Sequence, residues 1–386
     1  MAFKPMMETT QFEDMVKSGK LSRRQAHKVM ASFGIGTVLT PTLAASAAAS
    51  PDDQPLFFTW VGYDSPEFMI HYVEKYGEEP RYTFFGDEDE AFNKMRSGFE
   101  PDVTYPCGVS LKLWNDAGLL APIDTGMLSN WGDVMDVFKD APYSVIDGNR
   151  VYVPEDWGQT SMIIRTDLAP EYKDPENQTW AALWDEKYAG RITISDYSYE
   201  AFAIAAMVLG YEPWTLTAEQ REECANLLRK QIPLDRMFTT SATEQGQAIA
   251  SGELIIATGG NGLLWELIGM EDVSGFEWTW QTPKEGAMTW HCGLCIHPAA
   301  MENGMYEKCH ALIDSMISKE AGEFEIGNWY YGHTNKRAYE AFDDEFLRSI
   351  GLAKDVEAML ATTQFVQTMP EPEVLALQWE ELKAGF

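Results

Sequence analysis

Leu56-Phe57-Phe58-Thr59-Trp60-Val61-Gly62-Tyr63-Asp64-Ser65-Pro66-Glu67 decides the fold. Leu56–Trp60 reads as a short buried strand and the next residues turn the chain. Ser65-Pro66-Glu67 then starts a helix, with a cap, a proline at the first helical position and an acid in the first turn. The pattern predicts that helix to about Tyr76, a strand over Tyr82–Phe85, a helix over Glu88–Ser97 and a strand over Asp102–Tyr105. A helix near Leu111–Ala117, closed by Gly118, follows. Such β-α-β-α-β order makes an α/β protein with a parallel sheet, whose ligands sit at the strand C-terminal ends.

Further on, Val151–Pro154 and Ser161–Arg165 read as two strands carrying the chain into a second lobe, with Gly158 between them. Trp180–Trp184 is a short helix, Arg191–Ser195 a strand and Tyr199–Leu209 an apolar helix. Thr217-Ala218-Glu219-Gln220 is a capping-box start for a helix through Lys230. Thr243–Ser251 predicts a helix, Leu254–Ala257 a buried strand, and Gly259-Gly260-Asn261-Gly262 a tight turn into a helix at Leu263–Ile268. Phe276–Gln281 and Met288–Ile296 are strands that return to the first lobe, and the chain from Met305 is mainly helical. No repeat or low-complexity tract interrupts it.

The first 49 residues read as an export leader. Ser22-Arg23-Arg24-Gln25-Ala26-His27-Lys28 precedes a mildly apolar run from Val29 to Leu43, then small residues Ala45-Ser46-Ala47 and Ala47-Ala48-Ala49. Paired arginines before a short, glycine-interrupted apolar run fit the twin-arginine route, with cleavage near Ala47 or Ala49 and a periplasmic destination. The first cysteine is Cys107, so no lipid-anchored cysteine stands near those sites, and no later run predicts a membrane span. Of 386 residues, 29 are Lys or Arg and 60 are Asp or Glu, a formal charge of -31. That field disfavours nucleic acid and anionic membranes and weakly favours cations. The 5 cysteines cannot all pair. Cys224 and Cys309 fall on apolar helical stripes and read as buried hydrophobes.

Several blocks then recur in a familiar order: Phe57-Phe58-Thr59-Trp60-Val61-Gly62-Tyr63; Thr179-Trp180-Ala181-Ala182-Leu183-Trp184 with Tyr188-Ala189-Gly190; Pro283-Lys284-Glu285-Gly286; Trp290; and Leu382-Lys383-Ala384-Gly385-Phe386. Together they resemble the spermidine/putrescine-type solute-binding proteins of bacterial ABC importers. The resemblance implies a type II periplasmic-binding-protein fold with two α/β lobes closing on a ligand. Its lobes would be 50–160 with 288–335 and 161–287 with 336–386. It also implies a monomer that docks on a membrane permease, with no cofactor and no catalysis.

By that resemblance Trp60, Tyr63, Trp290 and Tyr331 are aromatic ligand contacts, and Glu200 is an acid that holds an amine. Trp157, beside Gly158 at the crossover, is a further cleft candidate. Gly62, Tyr197 and Cys292 stand where the family has acids; Cys107, Val109 and Gly260 replace a Ser, a Tyr and a Trp. Losing those carboxylates leaves an aromatic pocket with Glu200 as its acid, which suits a polyamine-like amine less than a monocation such as a quaternary ammonium. Each residue also has a structural alternative: Trp60 and Trp290 as core aromatics, Glu200 as a helix-start acid, Trp157 as packing between lobes, Tyr331 as a residue closing a helix end.

His291-Cys292-Gly293-Leu294-Cys295-Ile296-His297 invites a metal reading. Strand alternation puts Cys292 and Cys295 on opposite faces, which prevents chelation of one ion. The resemblance instead brings Cys107 and Cys292 to one lobe as lining residues, close enough for a disulfide in an oxidising compartment. Two other classes stand as alternatives: a ferric-ion trap using Tyr330 and Tyr331 with a histidine, and an exported enzyme, for which no Ser-His-Asp order, H-E-x-x-H or phosphate loop is present.

Overall fold

Phe57 and Phe58 are both fully buried although they project to opposite faces of one strand, so that strand is covered on both sides. Phe57 joins a core with Tyr63, Phe68 and Tyr72, whereas Phe58 joins one with Phe92, Leu111 and Trp114. The structure is a computed structural model and describes residues 53–385; the leader, its arginine pair and its cleavage sites lie outside the described residues. Strand β1 (Leu56–Trp60) pairs in parallel with β2 (Arg81–Phe85) and β3 (Val103–Thr104), joined by the predicted helices. Ser65 precedes Pro66 in a short 3-10 turn that passes into the helix Ile70–Tyr76, ended by left-handed Gly77.

After the small hairpin β4 (Val145–Ile146) and β5 (Asn149–Arg150) comes the central difference from expectation. Val151–Pro154 and Ser161–Arg165 do not form two strands; β6 is one uninterrupted strand, Val153–Ile164, buried along its whole length. Gly158 is not a break within it. A Cβ there would stand 2.2 Å from the Trp290 indole, so glycine is required by close approach rather than by a turn.

The remaining strands are β7 (Ile192–Thr193), β8 (Ile256–Gly259), β9 (Thr279–Trp280), β10 (Met288–Ile296), β11 (Gly332–His333) and β12 (Gln364–Phe365). The main sheet runs β2-β1-β3-β10-β6-β8-β7, with β9 and β11 on β6 and β12 on β10. Its outer pairs are parallel; β10 and β6 run antiparallel to each other and to their main neighbours.

Thr217 and Gln220 make the expected capping box at the head of the helix Ala218–Gln231. Asn261 and Gly262, expected in a turn, instead open the helix Asn261–Ser274. One core gathers Met162, Trp180, Phe202 and Leu228 on the far half of the sheet. Another draws Met135, Phe138, Trp157 and Ile326 together with Ala338, Leu347 and Leu360, so part of the segment expected with the second lobe packs with residues assigned to the first. No helix among the described residues is long and apolar enough to cross a membrane.

Candidate functional site

The pairing of β6 with β10 builds one face of the middle of the sheet. Trp290 lies opposite Gly158, and Cys292 opposite Asp156, so these side-chain positions share a face with Thr160. His291 lies opposite Trp157 and shares the reverse face. The register slips between Cys292 and Gly293, where Gly293 meets Pro154 and Glu155 is the extra residue of a bulge. That bulge turns two consecutive acids, Glu155 and Asp156, into the interior.

On the front face Trp290 sits edge-on to Tyr331, with ring centroids 5.3 Å apart. Tyr331 meets Trp329 at 6.3 Å, and Trp329 meets Tyr63 at 5.0 Å. Trp329 escaped the sequence reading because it ends a helix whose pattern gives no sign of which way the last residue turns. Trp60 packs on Phe85, and its indole N–H donates to the Tyr105 carbonyl at 3.1 Å. Among the described residues no ring contact joins Trp60 to Trp290 or Tyr331.

Glu200 belongs to the first turn of the helix Ser198–Leu209 and is 5% exposed. Its Oε1 accepts from Thr160 Oγ1 at 3.2 Å and Tyr199 Oη at 3.4 Å, while its Oε2 is buried without a partner. Burial pushes its carboxyl up to about 7. A buried carboxylate with one vacant oxygen beside an aromatic ladder is chemically ready for a donor with positive charge.

Trp157 does not join this face. It is fully buried on the reverse side against Phe138 (5.7 Å), over Gly332, and its indole N–H is taken by the His333 carbonyl and the Tyr339 hydroxyl. Alternation on an unbroken strand decides this: Gly158 faces the front, so its neighbour cannot. Cys107 and Cys292 form a disulfide, their Cα atoms 3.8 Å apart across an antiparallel bridge. Cys295 stays a buried free thiol in the opposite core, and burial pushes His291, lying against Gly108, down to about 4.

Behind the front aromatics lies an acid cluster that the sequence reading missed. The Tyr63 hydroxyl donates to Asp156 Oδ2, and the Cys292 backbone N–H donates to Oδ1 at 3.2 Å. The Tyr105 hydroxyl donates to Glu155 Oε2. Glu325, from the helix Lys319–Trp329, is fully buried with both oxygens unpartnered. Burial and the neighbouring Glu155 push Asp156 up to about 8, and burial with both neighbours raises Glu325 well above the usual carboxylate range.

Glu155, Glu325 and His333 converge to within 4.8 Å, a spacing compatible with a metal. The histidine argues against one. His333 Nδ1 accepts the Asn335 N–H at 3.0 Å, which leaves the ring proton on Nε2, facing the Met316 carbonyl at 3.1 Å and Glu155 Oε1 at 3.3 Å. The ferric set expected from the two tyrosines is also separated. Tyr330, in the left-handed conformation, turns toward Phe346 while Tyr331 turns toward Trp290.

Comparison with known proteins agrees with this architecture. The spermidine/putrescine-binding periplasmic protein of Escherichia coli is 24% identical over 353 residues, covering 89% of this chain and 95% of that protein. The putrescine/cadaverine-binding protein of Pseudomonas aeruginosa is 23% identical over 291 residues, covering 72% and 79%. A spermidine/putrescine ABC transporter substrate-binding protein from Streptococcus pneumoniae, solved with calcium and HEPES, has the same fold at a TM-score of 0.70 and 19% identity, covering 86% of this chain and 99% of that one. The family described as bacterial extracellular solute-binding protein matches residues 83–341. The chain belongs to that family, and it is a binding protein rather than an enzyme.

Proposed function

We propose that this chain is the substrate-binding subunit of an ABC importer and captures a polyamine-like cation on the face formed by Trp290, Tyr331, Tyr63 and Glu200. The observation that carries the reading is the vacant, buried Oε2 of Glu200 next to that aromatic face. Aromatic rings supply cation–π attraction, and the carboxylate supplies the counter-charge. The names of the relatives in Escherichia coli and Pseudomonas aeruginosa point to the same class of ligand. The residues 50–160 with 288–335 and 161–287 with 336–386 act as lobes that close on the ligand, turning about the crossing strands β6 and β10. The closed monomer then docks on a membrane permease. Delivery to the periplasm uses the twin-arginine leader 1–49, which intact-mass measurement of the exported protein checks by a start near Ala48 or Ser50.

A thermal-shift series on the exported protein tests the ligand class. Polyamines raise its melting temperature, with about 2.7 kcal/mol added at 100 times the dissociation constant. Stabilisation only by neutral sugars or by metal ions overturns the reading.

A further inference from the structure

Resting on that reading, we infer that Asp156 is a second anionic anchor, so that the ligand this face selects is a cation with two charged ends rather than one. Position 292, where the resemblance led to an acid and this chain has a cysteine, is occupied by a disulfide. Directly across the ladder, on the same face, stands Asp156. The carboxylate has moved one strand over. It reaches the region between Tyr63 and Tyr331, since the Tyr63 hydroxyl bonds to it and its charge acts on Tyr331.

The two acids lie at opposite ends of one strip. Asp156, Gly158 and Thr160 follow at every second residue of β6; Thr160 holds Glu200, Tyr63 holds Asp156, and Trp290 lies over Gly158 between them. Asp156 and Thr160 are separated by four strand steps, about 13 Å of backbone. An extended aliphatic chain laid across Trp290 would present one ammonium to each carboxylate.

A second observation points to a missing positive charge at the Asp156 end. Glu325 offers two buried oxygens without partners, and Glu155 Oε1 has only the His333 Nε2 at 3.3 Å beside it. The charged and titratable groups facing Asp156 are Glu155 on its own strand and Tyr152 just before it, Tyr63, Tyr105 and Tyr331 from three other segments, Glu325 on the helix Lys319–Trp329 and His333 on β11. None of these groups is a lysine or arginine. Burying several acids without a cation is costly, and the empty protein escapes the cost by keeping protons. An arriving ammonium replaces a proton as the counter-charge.

Titration calorimetry with spermidine, putrescine and n-butylamine tests this on the exported protein. Wild-type protein prefers a two-ended amine over n-butylamine, and Asp156→Asn costs the two-ended amine about 30-fold or more while costing n-butylamine far less, so the preference collapses. Glu200→Gln weakens all of them. If Asp156→Asn weakens both kinds of amine alike, or neither, Asp156 is not an anchor even though the protein binds amines. If the wild-type protein binds no amine, the proposed function fails and the anchor falls with it. Should Asp156→Asn not fold, wild-type protein decides alone: repeating the titrations in buffers of different ionisation enthalpy shows more protons released with spermidine, which meets both acids, than with n-butylamine, which meets Glu200 alone. Equal proton exchange for the two overturns the inference.

Discussion

Glu200 and Asp156 are buried acids on one face of the same sheet, built from opposite materials. Glu200 stands alone in the first turn of a helix, where the unpaired N–H groups favour negative charge, and two hydroxyls share one of its oxygens. Asp156 stands on a bulged strand between two other acids, with phenols as its side-chain donors. A lone acid near a helix start needs only a partner to ionise. A clustered acid must also shed the repulsion of its neighbours, so it keeps its proton longer and yields it only to a stronger inducement. The two ends of the face therefore differ in what a cation must displace.

The largest expected consequence is in stability against pH. Asp156 is pushed up to about 8 in the folded protein and titrates near 3.9 when unfolded. Between about pH 4 and pH 8 the folded state therefore holds a proton that the unfolded chain has released. Stability falls as pH rises through that window, by up to about 1.4 kcal/mol per pH unit for each such group. Chemical denaturation of empty protein at several pH values shows the decline, and Asp156→Asn makes it shallower, leaving the part owed to Glu200 and Glu325. A cation favours the ionised form, so spermidine affinity rises across the same window. Stability that is flat or rising from pH 5 to pH 8 breaks the distinction between the two ends.

Next in size is the disulfide, which braces only the Asp156 end, because the Cys292 N–H donates to Asp156. It closes a sequence separation of 185, and Cys107→Ala with Cys292→Ala together cost about 2–4 kcal/mol in urea unfolding. Equal stability of the oxidised and doubly substituted proteins would remove the brace. A similar or smaller cost, about 1–3 kcal/mol, follows from Gly158→Ala, because the added Cβ meets the Trp290 indole and displaces it from between the two acids. Unlike loss of either acid, that change weakens one-ended and two-ended amines together, which calorimetry reads directly.

These contrasts also explain what the sequence could and could not disclose. Leu56–Trp60, the helices after it, the capping box at Thr217 and β10 at Met288–Ile296 follow from local pattern, because periodicity and caps are properties of neighbouring residues. Glu200 entered through the resemblance, and local pattern alone offered it only as an acid in the first turn of a helix. Asp156 was not legible, since its meaning depends on Cys292, 136 residues away, and on a bulge that no local signal marks. Gly158 is instructive: the sequence presents it only as the neighbour of Trp157 at a crossover between lobes, yet it marks the place where a distant tryptophan lies against the strand. Trp157 as a cleft residue came from reading two strands and a crossover there; with β6 one strand, alternation fixes its face on the reverse side. The bulk of the aromatic face came through resemblance, but its reading as a one-acid pocket counted only carboxylates at inherited positions.

The smallest expected effect separates the two ends most cleanly. Thr160 Oγ1 donates to Glu200 Oε1, and Thr160→Val removes that donor at nearly constant volume while leaving the Tyr199 hydroxyl in place. One neutral-to-charged hydrogen bond is worth about 1.5–3 kcal/mol at most, and partial compensation by Tyr199 brings the expected loss toward 1 kcal/mol. Since the lost bond favours the ionised carboxyl, the Glu200 pKa rises further above about 7. Amine affinity then falls more at pH 6 than at pH 8, where ionisation is easier. The preference for two-ended over one-ended amines stays as it was, because Thr160 touches only the Glu200 end. A loss that is independent of pH would mean that Thr160 shapes the strand rather than holding the charge. A changed preference would mean that the two ends are mechanically joined through β6, and the division between a lone acid and a clustered one would no longer describe how this protein reads its ligand.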